Sequence, residues 1–139
     1  MDSGVNSMPI EIKVASKDEI DIVYSTMVDA FKDYAGKLNP ASGALSETTE
    51  NILNTMNHGG GSVIAWDGLI ATGSARFKFI EHYIYIGRVA VLPEYRGKGI
   101  GKAMLAFLEK MAEEKNISES RVEVRLSIPD NIEMYKRFS

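Results

Sequence analysis

The chain has 139 residues, 45% of them apolar and 25% charged, the make-up of a soluble globular protein with a single core. Its net charge of −3 and sequence pI of about 5.4 argue against a general nucleic-acid binder, which needs a broad basic face. The absence of cysteine excludes disulfides, thiolate metal sites and cysteine nucleophiles. With only His58 and His82, a metal site would have to rest on carboxylates, and these do not cluster, so no metal is expected. No run approaches the roughly 18 apolar residues of a membrane span, and the first residues carry no signal-peptide pattern. The expectation is a cytoplasmic protein that binds neither membrane nor nucleic acid.

Met1 to Met8 is polar and reads as a flexible terminus. Ile10, Ile12 and Val14 alternate with Glu11 and Lys13, a short half-buried strand. Ser16 to Glu19 forms the S-x-x-E capping box. Ile20, Val23, Tyr24, Met27, Val28 and Phe31 then share one helical face, in a helix that fades near Ala35–Gly36. Residues 37–45 read as loop. Ser46 is a candidate N-cap for a short helix marked by Ile52, Leu53 and Met56, which Asn57 and the run Gly59–Gly61 end. That glycine run has no lysine or arginine beside it, so it reads as a connection rather than a phosphate loop.

Residues 62–66 and 69–79 read as strands around a tight Asp67–Gly68 hairpin. Gly73 inside the second marks a bulge or a close backbone approach. Glu81–His82 is another turn, leading into a strand over 83–92, so three strands form an antiparallel meander. After a helix over 100–112, Asn116 is a stop. Val122, Val124, Leu126 and Ile128 alternate with polar residues as a fifth strand, and the crossover makes it parallel to the fourth. Pro129–Asp130–Asn131 opens a last helix, Ile132 to Phe138.

The densest stretch is Tyr83 to Ala112. An apolar strand stops at Pro93. Arg96, Gly97, Lys98, Gly99, Ile100, Gly101 and Lys102 follow, and then Ile100, Met104, Phe107, Leu108 and Met111 mark an amphipathic helix. Helix N-termini carry unpartnered N–H groups and partial positive charge, and glycines let a ligand come close. The arrangement suits phosphate. It is not the Walker pattern G-x-x-x-x-G-K-S/T, because Ala103 follows Gly101–Lys102. It is not the dinucleotide fingerprint either, because Lys102 stands where the third glycine should be. Tight helix–strand packing alone would account for the glycines but not for Arg96, Lys98 and Lys102.

Val89 to Gly101, V-x-V-x-P-x-x-R-G-x-G-I-G, resembles the signature of the GNAT superfamily of acyl-CoA N-acyltransferases. Arg96-x-x-Gly99-x-Gly101 matches that family's Q/R-x-x-G-x-G/A loop, and Asn131 with Tyr135 resembles its N-x-x-x-Y segment. The element order β-α-α-β-β-β-α-β-α is similar to the family's from about residue 10 to the end. The resemblance implies one domain over residues 1–139 with a mixed α+β fold. A central, mostly antiparallel sheet would hold a parallel pair of strands four and five, flanked by helices. Members continue with two more strands, so the chain reads as C-terminally incomplete. Its fifth strand would then have an open edge, to be covered by further chain or by a second copy in a homodimer.

The resemblance also implies transfer of an acetyl group from acetyl-CoA to a primary amine of a small molecule or peptide. The amine would attack directly in a ternary complex. The pyrophosphate would lie on Arg96, Gly97, Lys98, Gly99, Ile100, Gly101 and Lys102, and the pantetheine arm beside Val89, Ala90 and Val91. That arm would pair with backbone groups left where strands four and five splay apart. A backbone N–H aimed at the thioester carbonyl would stabilise its developing charge. Asn131 would hydrogen-bond the cofactor, and Tyr135 would protonate the leaving thiolate, unless it is simply a core tyrosine. Relatives place a glutamate or histidine base at the position of Tyr85. Tyr85 is therefore a candidate, with Glu81 and His82 near enough to act through water. The missing carboxylate also leaves open a non-catalytic acyl-CoA-binding module. Asp29, Asp33, Glu47 and Glu50 bias the acceptor region towards a cationic amine, or are solvated helix faces. Phe31, Tyr34 and Trp66 are equally placed to line a pocket or to be core.

Overall fold

Four antiparallel pairings and one parallel pairing build a six-stranded sheet with its strands in chain order. The computed structural model of the protein describes residues 9–32, 48–124 and 132–137, with the backbone alone at 123, 124 and 132–137. The strands are β1 (Glu11–Val14), β2 (Gly60–Asp67), β3 (Ile70–Ile80), β4 (Tyr83–Val91), β5 (Glu119–Val124) and β6 (Ile132–Arg137). The helices are α1 (Ile20–Phe31), α2 (Thr49–Asn57) and α3 (Ile100–Glu114). Only β4 and β5 run parallel; every other neighbouring pair is antiparallel. The fold is the expected mixed α+β sheet with flanking helices.

Strand alternation decides which helix meets which face. Val63, Ala65, Ala75, Phe77, Ile84 and Ile86 point to one side and pack on Ile100, Met104, Leu108 and Ala112 of α3. Those four helix residues recur every four positions, one stripe of a regular helix. Burying Met104 and Leu108 completely contributes roughly 1.5–3 kcal/mol each. Ile64 points the other way and joins Val23 of α1 and Ile52 of α2. The sheet is thus covered on both faces, as its largely apolar strands require.

Helix ends follow the local chemistry. The backbone N–H of Ser16 donates to Glu19 Oε1 at 2.9 Å, so the box opens with a short 3-10 turn that runs into α1. The cap of α2 is Thr48 rather than Ser46, which lies outside the described residues: Asn51 N–H donates to Thr48 Oγ1 at 3.2 Å, and Thr48 N–H to Asn51 Oδ1 at 3.0 Å. Asn116 stops α3 at φ +62. Its N–H donates to Glu113 O and that of Ile117 to Ala112 O, both at 2.9 Å, which satisfies the last carbonyls.

Two hairpin tips sit close to their expected places. The β2–β3 turn is Gly68–Leu69, one residue later than expected, because Asp67 still pairs with Ile70. Glu81–His82 joins β3 to β4. Gly73 shows both features read from its place in a strand. The pairing slips beside it, between Ala65 and Trp66, and a Cβ there would lie 2.8 Å from Ala90 O.

The last element differs from expectation. Residues 132–137 form a strand, not a helix, antiparallel to β5 with Tyr135 opposite Arg121. Six residues cannot hold a helix in isolation, whereas the open edge of β5 offers a full row of backbone partners. The expected bare edge on β5 is therefore covered by β6 of the same chain. Of the expected fifth strand, Leu126 and Ile128 fall outside the described residues.

Gly73→Ala should destabilise the protein by about 1–3 kcal/mol, because backbone rather than a flexible side chain must give way. Urea unfolding would show a lower midpoint at unchanged slope; an unchanged midpoint would mean the strand can shift without cost.

Candidate functional site

Strand β4 is where the sheet opens. Tyr83 to Ile86 pair with Glu119 to Val122, and the parallel pairing ends there although β5 continues to Val124. The cause is a bulge. Ser74 pairs with Ala90 and Arg76 with Gly87, so β4 carries an extra residue, and Arg88 takes φ +52. A positive φ at a non-glycine residue is strained and is found where the surroundings impose it. The bulge shifts the alternation by one. Ile84 and Ile86 face α3, and so do Val89 and Val91, while Arg88 is kept out of that core. The backbone from Gly87 to Val91 therefore has no β5 partner on its outer side among the described residues.

Beyond Val91 the chain makes a 3-10 turn at Pro93–Tyr95 and enters the glycine loop. Gly97 and Gly99 have φ +78 and +80, with nothing within 4 Å of a notional Cβ. Their glycines thus serve backbone shape and open access rather than packing. Gly99 caps α3, and the first bond of the helix is Ala103 N–H to Gly99 O at 2.9 Å. The first-turn N–H groups of α3, from Ile100 to Lys102, have no partner within the helix, as at any helix start. These donors lie beside a groove of about 360 Å³. Val91, Tyr95, Arg96, Gly101 and Lys102 are among its lining.

Two side chains fasten this loop. Arg96 donates from Nε to Val91 O at 3.0 Å and from Nη2 to Ala30 O at 2.6 Å. Ala30 O is one of the last carbonyls of α1, where partial negative charge favours a guanidinium. Arg96 thus ties β4, the loop and α1 together. Tyr95 Oη donates to Asp67 Oδ2 at 3.3 Å, joining the loop to the end of β2. Desolvation, then the Asp67 carboxylate, hold the Tyr95 phenol above its usual pKa. Lys98 Nζ lies 5.5 Å from the Tyr95 ring centre, leaving Lys98 and Lys102 as exposed charges of the loop.

The remaining expected site residues are dispersed. Tyr85 lines a second cavity of about 200 Å³ on the opposite face of the sheet, with Thr55, Arg76, Lys78, Gly87 and Arg88. Glu81 and His82 stand at the far end of β4, 4.0 Å from each other and well exposed. An extended strand puts His82 about 16 Å from Gly87. Tyr135 lies on β6, two strands out from Tyr85 and in line with it through Arg121. Asn131 is outside the described residues, as are Asp33, Tyr34 and Glu47. Asp29 is ion-paired with Lys32 at 3.3 Å on the surface, and Trp66 packs on the α1–α2 core. Among the described residues no three His, Asp or Glu side chains gather as metal ligands, and no helix is long and apolar enough to cross a membrane. Arg88 and the cationic surroundings of Tyr85 were not anticipated. The spacing of Ile86 and Val89, three apart where regular alternation requires two, is the signal that locates the bulge.

A family model described as the Acetyltransferase (GNAT) family matches residues 25–139. No curated protein sequence matches the chain. Among solved structures, the PaiA N-acetyltransferase of Thermoplasma acidophilum, in complex with coenzyme A, is 23% identical with a TM-score of 0.77, over 94% of this chain and 100% of that one. A GNAT-family acetyltransferase of Staphylococcus aureus Mu50 is 14% identical with a TM-score of 0.71, over 94% and 100%. A Clostridium acetobutylicum acetyltransferase with acetyl-CoA is 22% identical with a TM-score of 0.68, over 86% and 83%. At these identities the structures share the fold.

Arg96→Ala removes both carbonyl anchors, so amide hydrogen exchange across residues 97–102 should speed up, with a stability loss of about 1–3 kcal/mol. Exchange rates equal to those of the unaltered protein would show that Tyr95 alone holds the loop.

Proposed function

The chain belongs to the GNAT acetyltransferase family, and from that premise we propose that it transfers the acetyl group of acetyl-CoA to a primary amine by direct attack. The N–H donors of the first turn of α3 beside the glycine loop, continuous with the unpaired half of β4, are the observation that carries this proposal. Their chemistry fits the two ends of the co-substrate. Pyrophosphate suits the N–H groups of Gly97 to Lys102, aided by the charges of Lys98 and Lys102. Arg96 belongs to the same site through position: it holds the loop in shape. The amide-bearing pantetheine arm suits Val89, Ala90 and Val91, whose backbone has lost its neighbouring strand.

Acetyl-CoA supplies an activated thioester, and the residues of the chain must hold it and manage protons. A β4 N–H beside the gap would donate to the thioester oxygen as negative charge grows there. Tyr135 is the proposed proton donor to the leaving thiolate, and Asn131 a cofactor contact; their support is the N-x-x-x-Y pattern. A phenol of pKa about 10 can share a proton with a thiolate whose conjugate acid is near about 8.5. Tyr85 takes the place of a carboxylate base, so the amine would lose its proton through water rather than to a dedicated side chain. That same absence favours a second reading, an acyl-CoA-binding module without turnover.

A thiol-release assay with acetyl-CoA and a panel of amines separates the two. Release with at least one amine is expected; tight acetyl-CoA binding with no release on any amine would establish the binding module instead. Gly99→Val should weaken acetyl-CoA binding by about tenfold or more, because a β-branched residue resists φ +80. Calorimetry showing unaltered affinity would remove the loop from the cofactor site. Tyr135→Phe should lower kcat while leaving acetyl-CoA affinity in place, and equal turnover would eliminate the acid role.

A further inference from the structure

The cavity on the α1–α2 face has a charge character that the donor side does not need. Tyr85 and Gly87 of β4 lie opposite Lys78 and Arg76 of β3, and alternation points all four away from α3. The bulge adds Arg88 to the same recess, and Thr55 of α2 closes it. Three cations thus surround a space of about 200 Å³, and no carboxylate lines it among the described residues. Arg76 is only 9% exposed, so its charge is poorly screened by water.

The geometry points to an acceptor amine that also carries an anionic group, carboxylate or phosphate, held by Arg76, Lys78 and Arg88. This rests on the transfer reading above and names its substrate class. Arg76, Arg88 and Tyr85 already have partners within the protein. A guanidinium has five N–H donors in a planar fork, so an internal contact still leaves donors for a bidentate grip on an oxyanion.

Position supports the same conclusion. Gly87 and Arg88 line this recess, and Val91 lines the groove of the glycine loop. Three to four strand residues separate them, about 10–13 Å. An anionic group seated among the three cations would leave the amine of the same small molecule free to reach along β4 towards the gap. Of the acidic residues that suggested a cationic acceptor, the two among the described residues do not oppose this: Asp29 pairs with Lys32 at the surface, and Glu50 is exposed on the first turn of α2.

Three amines of matched length test the inference: 4-aminobutanoate, butylamine and 1,4-diaminobutane differ only in the charge at the far end. With saturating acetyl-CoA, kcat/KM for 4-aminobutanoate should exceed both others by about tenfold or more. Lys78→Glu should cut that value by about tenfold and narrow the gap, with acetyl-CoA affinity unchanged as evidence of an intact fold and donor site. Equal or better use of butylamine or 1,4-diaminobutane would overturn the inference. If acetyl-CoA binds and no amine is acetylated, transfer itself is ruled out, and calorimetry of the three amines on the CoA-loaded protein decides the anion site separately. Tighter binding of 4-aminobutanoate, weakened by Lys78→Glu, would sustain it; equal or undetectable binding of all three would overturn it.

Discussion

The parting of β4 from β5 after Ile86 is the constraint on which the rest of the molecule depends. A sheet buried on both faces would ordinarily keep its strands paired to their ends, because an unpaired buried backbone group is costly. Here one extra residue at Arg88 interrupts the ladder. The strand keeps its apolar side chains on α3 and gives up its outer hydrogen bonds. A row of backbone donors and acceptors is left available for a ligand, beside the loop that opens α3.

The opening is stable because both sides of it are braced. On one side Val89 and Val91 stay packed on the α3 core, and Gly101 lies over Val89. On the other, Arg96 spans from the last residue of β4 to the C-terminal turn of α1. The guanidinium uses two of its donors on the carbonyls of Val91 and Ala30. This makes Arg96 part of the scaffold of the loop, and it also lines the groove. Arg96 and Lys102 are exposed charges that line the groove, and Lys98 is exposed on the same loop.

Much of this was legible in the sequence where one element's own pattern was enough. The capping box at Ser16 and Glu19, the stripe of α3, the stop at Asn116 and the tight turn after Asp67 all stood at or near their expected places. Each is decided within about five residues, by hydrogen bonds or periodicities that the local residues set for themselves. The errors arose where two distant segments compete or cooperate. Residues 132–137 carry a pattern open to either structure, and the free edge of β5 decided for strand.

The sequence by itself determined the strand, the glycine loop and the helix from Tyr83 to Ala112, and with them the family. Glycines at positive φ, a helix N-terminus and a 3.6-residue stripe are short-range properties, and no partner is needed to specify them. Only the tertiary structure decided where the sheet opens, what Arg96 holds, and that Arg76, Lys78 and Arg88 share one recess. Those depend on register between β3 and β4 and on a one-residue bulge. A slip of one residue sends every later side chain to the other face, so long-range pairing, and not composition, places the charges.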